Sequence, residues 1–303
     1  MLRTIGLAAL LLAGCGRSAP EAATENERPQ AGGVDITAPA PPGVPLSLTR
    51  LDCGYGEFKD MNSFFSDKPG VYPPGPGRVT DSCYLIRHGK DVMVWDTGLP
   101  AATKQKPIVE DNMSGAITVT LADQLQQLGI KPADVTVVGI SHMHGDHTGQ
   151  AAQFTNARLV IGKGDFEKLA GTPGDTLQGW RKQEPQRADE LKTSAKAVTL
   201  TTADTDVFGD GSVIALHLPG HTPDHMGLLV KLKSGPVLLS GDTYHTQIAR
   251  EKKSVPGFNT DRAESVKSME RLEQVLAQTH ARLIIQHEPN DIAKLPAFPK
   301  AAE

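Results

Sequence analysis

The amino-acid sequence predicts a single α/β domain in which helices pack on the outer sides of β-sheets. Two observations lead to this prediction. From about residue 46, short β-rich runs alternate with helical segments, without an internal repeat or a long low-complexity insert. Most of the runs are apolar along their whole length, which is typical of strands that are covered on both faces.

The strands are predicted from runs that are rich in β-branched and other apolar residues and that end near turn-forming residues. They are Leu46–Leu51, Cys83–Arg87, Val92–Trp95, Val135–Ile140, Arg158–Ile161, Val213–Leu218, Gly227–Leu232, Val237–Leu239 and Arg282–Gln286.

Two helices have clear patterns. Gly129 ends the first, as a glycine at the C-terminus often does, and three leucines share one of its faces: Leu121, Leu125 and Leu128. The second begins after Thr260 or Asp261, either of which can cap it. Its apolar residues recur at spacings of three and four and predict one buried stripe: Val266, Met269, Leu272 and Leu276.

The first 45 residues are predicted to lie outside this domain, which then spans residues 46–303. Arg3 and the short apolar stretch from Ile5 to Ala13 are typical of a signal peptide, and the stretch is too short to span a bilayer. Leu12-Ala13-Gly14-Cys15 resembles the lipobox of bacterial lipoproteins, in which the cysteine is lipidated. Residues 1–15 are therefore predicted to be a lipoprotein signal, and residues 16–45, with almost no large apolar side chains, a disordered tether.

This prediction implies an exported periplasmic or outer-membrane lipoprotein that meets the membrane only through a lipid on Cys15. A cytosolic protein with a frayed apolar N-terminus is the alternative. Cys53 and Cys83 are compatible with one disulfide in an oxidising compartment, and two buried free thiols are equally compatible with the sequence.

The overall composition is that of an ordinary globular protein. Hydrophobic residues make up 39% of the 303 residues and charged residues 22%, enough for a sizeable core. The formal net charge of −4 gives no basic excess to neutralise a phosphate backbone, so nucleic acid is not an expected partner.

The strongest chemical signal is the run His142-x-His144-x-Asp146-His147, which follows a predicted strand. A spacing of two in an extended segment directs the first two imidazoles to the same side. Gly145 lets the chain turn, so that Asp146 and His147 can approach from another direction. Imidazole and carboxylate ligands suit zinc and neighbouring divalent metals, and iron, manganese and cobalt are alternatives to zinc.

Three further residues stand after predicted strands: His221 in Pro219-Gly220-His221, Asp242 in Ser240-Gly241-Asp242, and His287. Taken alone, His221 would be interpreted as a structural histidine and Asp242 as a turn residue. The other histidines, His88, His217, His225 and His280, are interpreted as structural, and His225 is near enough to His221 to line a pocket.

The ordered set of these residues is similar to that of the metallo-β-lactamase superfamily, over roughly residues 80 to 290, and Asp96-Thr97-Gly98 resembles a further element of that family. The resemblance implies an αββα sandwich with two metal ions at one edge, between the sheets. It also implies a ligand set: His142, His144 and His221 for the first ion, Asp146, His147 and His287 for the second, and Asp242 as the bridge.

Within the superfamily, the sequence is most similar to N-acyl-homoserine lactonases. The bridging aspartate, 21 residues after His221 and 45 before His287, carries that similarity, whereas true zinc β-lactamases have cysteine or serine there. One departure concerns the substrate-orienting tyrosine of these lactonases, three residues after the aspartate. This chain has His245 at that position and its tyrosine at Tyr244.

The predicted reaction is the opening of a lactone ring. Two divalent ions that share a hydroxide make it a nucleophile near neutral pH, able to attack a carbonyl carbon. Asp146 could shuttle the proton, and Tyr244 or His245 could hydrogen-bond the substrate carbonyl. For Tyr244, a packed aromatic is the alternative. Asp96 is predicted to orient a metal-binding histidine.

We therefore predict a hydrolase for small-molecule lactones, most specifically a quorum-quenching lactonase for N-acyl homoserine lactones. A periplasmic β-lactamase-like or other ester hydrolase of the same fold is the enzymatic alternative. A metal- or ligand-binding lipoprotein without turnover is the alternative of a different class. Residues 54–80, with their aromatic side chains, are predicted to form either an apolar lid or a loop packed on the core.

Overall fold

A computed structural model describes residues 33–171 and 197–303. The predicted lipoprotein signal, residues 1–15, and residues 16–32 of the predicted tether lie outside the described residues. Within the described ranges, the strands form one eight-stranded and one five-stranded sheet.

The strands of the eight-stranded sheet, in chain order, are β1 (Leu46–Phe58), β2 (Gly77–His88), β3 (Asp91–Trp95), β4 (Ile108–Val109), β5 (Met113–Ala116), β6 (Val137–Ile140), β7 (Arg158–Gly162) and β8 (Ala197–Thr201). Their spatial order is β4-β5-β1-β2-β3-β6-β7-β8. The strands of the second sheet are β9 (Thr205–Asp206), β10 (Val213–His217), β11 (Met226–Leu232), β12 (Gly235–Leu239) and β13 (Arg282–Ile284). They lie in the order β13-β12-β11-β10-β9.

The described α-helices are α1 (Met61–Phe65), α2 (Leu121–Gln127), α3 (Gly145–Thr148), α4 (Lys163–Gly171), α5 (Gln247–Lys252), α6 (Arg262–Thr279) and α7 (Pro289–Ile292). Among the described residues, none of these helices has the length and apolarity that a membrane crossing requires.

The two sheets pack face to face, and helices cover their outer sides. Alternation along β2 divides its side chains between two core layers: Tyr84 and Ile86 lie between the sheets, whereas Cys83 and Leu85 lie under α2. The outer face of the second sheet packs against α6 in a third layer. This arrangement is the αββα sandwich that the sequence resemblance implies.

All nine predicted strands are present, several of them longer or shorter than predicted. Helix α6 begins after Asp261, whose side chain accepts a hydrogen bond from Glu264 N. Its buried stripe differs slightly from the prediction, because Val266 and Leu276 are only half-buried. The fully buried residues of this helix are Ser265, Ser268, Met269, Leu272 and Val275.

Several residues of the predicted tether, Val34, Ile36 and Ala38, contact the folded domain. Val34 and Ile36 pack against the core layer beneath α6. The ammonium group of Lys231 donates to the carbonyl oxygen of Ala38 over 2.7 Å.

Cys53 and Cys83 form a disulfide, with their Cα atoms 5.7 Å apart on neighbouring strands β1 and β2. The sequence allowed this bond or two free thiols, and the pairing of β1 with β2 decides between them.

Candidate metal centre

The seven residues that the sequence singled out as metal ligands meet at one edge of the sandwich. His142 and His144 follow β6, and Asp146 and His147 lie in the short helix α3. The remaining three, His221, Asp242 and His287, follow β10, β12 and β13. All of them therefore stand beyond the C-terminal ends of strands.

Local backbone conformation brings the later loops close together. Gly241 has φ +51°, and a Cβ there would lie 2.5 Å from the Nε2 atom of His225. Gly220 has φ +126°, and a Cβ there would lie 2.2 Å from the backbone nitrogen of Ser265. Only glycine fits these positions, so the glycines before His221 and Asp242 allow the two loops to approach their neighbours.

Three imidazoles form the first group. The Nδ1 atom of His144 lies 2.9 Å from Nε2 of His142 and 3.0 Å from Nε2 of His221. Together with Asp242, these residues form a set whose ligand atoms all lie within 4.8 Å of one another.

The second group contains Asp146, His147 and His287. The Oδ2 atom of Asp146 lies 3.9 Å from Nε2 of His147 and 3.8 Å from Nε2 of His287. Their ligand atoms also lie within 4.8 Å of one another.

Asp242 faces both groups, one with each carboxylate oxygen. Its Oδ2 lies 3.6 Å from His142 Nε2 and 3.4 Å from His221 Nε2. Its Oδ1 lies 3.4 Å from His147 Nε2 and 3.1 Å from His287 Nε2. A carboxylate in this position can contribute an oxygen to each of two cations.

Neighbouring side chains fix the orientation of two imidazoles. His147 Nδ1 lies 3.0 Å from Asp96 Oδ2, and the other Asp96 oxygen accepts a hydrogen bond from Ser141 N. His221 Nδ1 lies 2.8 Å from Asn259 Oδ1. Such contacts determine which ring nitrogen of a histidine is directed at a metal. The predicted contact of Asp96 with a histidine of the cluster is present, whereas the contact of Asn259 was not predicted.

His287 is oriented by a backbone group. Its Nδ1 atom lies 2.7 Å from the carbonyl oxygen of Thr80 on β2. Because a carbonyl only accepts, Nδ1 carries the hydrogen and Nε2 is left to bind a metal.

His225 lies behind the cluster of metal-ligand side chains and does not line the cavity in front of it. It is fully buried; its Nδ1 is 3.0 Å from the carbonyl oxygen of Leu218, and its Nε2 accepts a hydrogen bond of 2.8 Å from the backbone N–H of Asp242. These bonds require the neutral ring, and burial lowers the pKa of His225 to about 4. His225 therefore holds the backbone of the bridging aspartate.

The electrostatics of the cluster match a cation site. Burial lowers the pKa values of His142 and His221 well below the usual range. Burial opposes protonation of His147 as well, but the carboxylates of Asp242 and Asp96 outweigh it and raise the pKa of His147. Burial acts against the charge of Asp242, yet His287 and His147 hold the pKa of Asp242 well below its usual range.

The donor set fits divalent metal ions. Five imidazoles and two carboxylates supply nitrogen and oxygen ligands of the kind that zinc and similar metals bind. The buried Nε2 atom of His147 makes no hydrogen bond within the described part of the chain, although it is directed at the centre of the cluster. A bound cation would give this buried nitrogen a partner.

A cavity opens onto the cluster and is lined on one side by aromatic rings. Asp146, Asp242 and His287 lie at its polar end. Its apolar wall contains Phe58, Phe64, Phe65 and Phe258. Residues 54–80 supply three of these rings and pack with Leu99, Ile108 and Met113 in one apolar cluster, whereas a role as a lid stays a prediction. The ring centroids of Phe64 and Phe258 lie 5.3 Å apart, which joins this segment to the loop before α6.

The predicted catalytic role of Tyr244 is wrong. Its ring is buried in the core layer beneath α6, and its hydroxyl donates to the carbonyl oxygen of Met269 and to Glu273. Tyr244 is in an extended conformation, with φ −132° and ψ 136°, so its side chain and that of His245 leave opposite sides of the chain.

His245 consequently faces the cavity. Its Nε2 lies 3.0 Å from Oδ2 of Asp242, and its ring stacks on that of His287, with centroids 5.7 Å apart. The ring of Phe65 is also close, with its centroid 5.0 Å from that of His245. Of the two substrate-orienting candidates, only His245 is in a position to contact a ligand.

Asp81 is a cavity residue that the sequence analysis missed. It lies on β2, is buried, and lines the cavity beside Asp146 and His287. Burial, followed by the nearby Asp146 carboxylate, raises the pKa of Asp81 well above its usual range. Asp81 precedes the predicted strand Cys83–Arg87 and has polar neighbours on both sides, so the sequence carried no signal for its burial.

Comparison with known proteins supports the same interpretation. A family model described as the metallo-beta-lactamase superfamily matches residues 76–287. The N-acyl homoserine lactonase AttM of Rhizobium radiobacter is 37% identical over 185 residues, which cover 60% of this chain and 67% of that protein. An N-acyl homoserine lactonase of a Bacillus species is 26% identical over 242 residues, covering 74% of this chain and 89% of the relative.

Solved structures share the fold. An N-acyl homoserine lactone hydrolase with the product N-hexanoyl-L-homoserine at its catalytic metal centre superposes with a TM-score of 0.67 and 21% identity, over 84% of this chain and 98% of the other. The dizinc quorum-quenching lactonase AidC superposes with a TM-score of 0.64 and 18% identity, over 84% and 89% of the two chains.

Proposed function

Because the chain belongs to the metallo-β-lactamase superfamily, whose members include metal-dependent hydrolases, we propose that it opens the ring of N-acyl homoserine lactones. The observation that carries the proposal is the position of Asp242, which directs one oxygen at each of two ligand groups at the end of an aromatic cavity. The names of the relatives, which are N-acyl homoserine lactonases, support this substrate class.

Two divalent ions, zinc in the first place, are proposed to bind here, with iron, manganese and cobalt as alternatives. His142, His144 and His221 would hold one ion, Asp146, His147 and His287 the other, and Asp242 both. Bound ions would polarise the lactone carbonyl and make water a nucleophile at neutral pH.

Asp146 is proposed to move the proton. Its Oδ2 is directed at His147 and His287, and its side chain is partly open to the cavity. The other carboxylate oxygen can take a proton from the attacking water and return it to the ring oxygen when the lactone opens. His245, whose Nε2 lies 3.0 Å from Oδ2 of Asp242, is proposed to contact the substrate.

The aromatic wall is proposed to receive the acyl chain. Phe58, Phe64, Phe65 and Phe258 offer an apolar surface next to the polar end of the cavity. A ligand with a small polar head and a hydrocarbon tail matches this division of the cavity.

Hydrolysis by the purified, metal-loaded protein tests the proposal. N-hexanoyl and N-decanoyl homoserine lactones should be opened, with acid release measured by a pH indicator and the product identified by mass spectrometry. Chelator-treated protein should lose this activity and regain it when zinc is added. A rate equal to that of buffer on both lactones would refute the proposal, and turnover of nitrocefin alone would favour a β-lactamase.

Two variants separate chemistry from binding. Asp146→Asn should lower kcat strongly while the metal content is largely kept, because the amide still offers one oxygen but cannot carry the proton. Asp111→Asn changes the same side chain at an exposed site and should leave kcat unchanged. Full activity of Asp146→Asn would remove Asp146 from the proposed reaction.

Export and lipid anchoring at Cys15 are also proposed. The Arg3-containing apolar N-terminus and the lipobox-like Leu12-Ala13-Gly14-Cys15 support them, as does the Cys53–Cys83 disulfide, since such bonds persist in oxidising compartments. Mass spectrometry of the protein from bacterial membranes should find a lipidated N-terminal cysteine, and a Cys15→Ala variant should not carry the lipid.

A further inference from the structure

Asp81 carries a buried polar atom that neither the fold nor the metal centre accounts for. Its Oδ2 accepts a hydrogen bond of 3.1 Å from the backbone N–H of Leu99. Its Oδ1 is buried and has no hydrogen-bond partner within residues 33–171 and 197–303. The side chain is only 4% exposed, and it lines the cavity. A purely structural role would explain Oδ2 but not the unpartnered oxygen.

The position of Asp81 along the cavity is informative. Val79, on the same face of β2, belongs to the apolar cluster of Phe58. Thr80, between them, binds the ring of the metal-centre residue His287. Asp81 therefore lies where the apolar wall meets the metal-ligand cluster. Gly54 pairs with it across the strands and brings no side chain that could cover the carboxylate.

We propose that Asp81 determines specificity for lactones that carry an amide, because its Oδ1 accepts a hydrogen bond from the substrate amide N–H. This inference rests on the proposed function. An N-acyl homoserine lactone has its amide between the ring and the acyl chain, so a substrate with its ring at the metal ligands and its chain on the aromatic wall brings the amide to Asp81. The amide then supplies the donor that Oδ1 lacks.

Two substrates and two variants test the inference together. The substrates are N-decanoyl homoserine lactone and an α-alkyl-γ-butyrolactone of equal chain length, which lacks the amide. Asp81→Leu removes both oxygens. In Asp81→Asn, the side-chain oxygen can keep the hydrogen bond from the Leu99 N–H, so the NH₂ group takes the position of Oδ1 and presents a donor in place of an acceptor.

The measured quantity is the ratio of kcat/KM for the amide lactone to kcat/KM for the amide-free lactone. We expect this ratio to fall by about tenfold or more in both variants, as is typical when a buried hydrogen-bonding group is left without its partner. Asp111→Asn should leave it at the wild-type value. Urea unfolding verifies that each variant is folded. If Asp81→Leu does not fold, Asp81→Asn still tests the inference, because it can keep the hydrogen bond to Leu99.

Two results would overturn this inference and leave the proposed function intact. One is an unchanged ratio of the two kcat/KM values in Asp81→Leu. The other is a wild-type ratio in Asp81→Asn, which would mean that Asp81 acts as a donor. If the proposed function is wrong, the wild-type protein opens neither lactone, and this inference is then refuted as well.

Discussion

Replacement of His225 by phenylalanine should damage both stability and metal binding, although His225 contacts no substrate. The new ring fills a similar space but makes no hydrogen bonds. It leaves the carbonyl oxygen of Leu218 and the backbone N–H of Asp242 buried without the partners that His225 supplies. Each such group costs about 1–3 kcal/mol, so the variant should lose about 2–6 kcal/mol of unfolding free energy.

That loss is a large share of the roughly 5–15 kcal/mol that stabilises a typical domain. The second effect concerns Asp242, which loses the contact that holds its backbone beside both ligand groups. We expect the loss of this contact to lower the metal affinity by about 10- to 100-fold, as is common when a residue that hydrogen-bonds to a metal ligand is replaced.

Urea unfolding and metal analysis after dialysis measure the two effects. His88→Phe provides a matched control, since His88 stacks on Phe208 at a centroid distance of 4.1 Å and pairs with Asp210 away from the cluster. It should cost no more than about 1 kcal/mol and leave metal content unchanged. If His225→Phe matched the wild type in stability and metal content, the role assigned to His225 would be refuted.

Three further predictions follow from individual contacts. Tyr244→Phe should cost about 1 kcal/mol in urea unfolding and leave kcat/KM unchanged, whereas His245→Phe should lower kcat/KM at least tenfold; the reverse order would contradict the positions of the two side chains. Burial raises the pKa of Asp165 from 3.8 to about 6, so the folded protein keeps a proton that the unfolded chain loses between those values. The stability advantage of the wild type over Asp165→Asn should therefore increase by up to about 3 kcal/mol as pH falls from 6 to 4, and a pH-independent difference would contradict this. Replacing Cys53 and Cys83 together by serine should cost about 3–4 kcal/mol, because the disulfide closes a loop with a sequence separation of 30; a loss below about 1 kcal/mol would contradict that estimate.

Much of the metal centre could be predicted from the sequence because its information is local. The spacing in His142-x-His144 and the turn at Gly145 act within a few residues, and each remaining ligand directly follows a run that is apolar enough to be recognised as a strand. The same local signals gave the nine predicted strands and the cap of α6 at Asp261.

Short edge strands were not predictable in the same way. Strands β4 and β9 contain two residues each, too few for any alternation to be detected. They exist because longer neighbours pair with them. The packing of Val34 and Ile36 likewise depends on a surface that the second sheet provides.

The sequence by itself determined which residues can hold metal, since ligand chemistry and strand-end position are both properties of short segments. Only the tertiary structure decided which neighbouring side chains serve the site. Tyr244 and His245 are adjacent in an extended segment, so their side chains leave opposite sides of the chain. The tertiary structure decides which side each one takes: Tyr244 packs beneath α6, and His245 lines the cavity. Asp81 and His225 join the site through contacts with Leu99 and Asp242, which are distant in sequence and brought near by the fold.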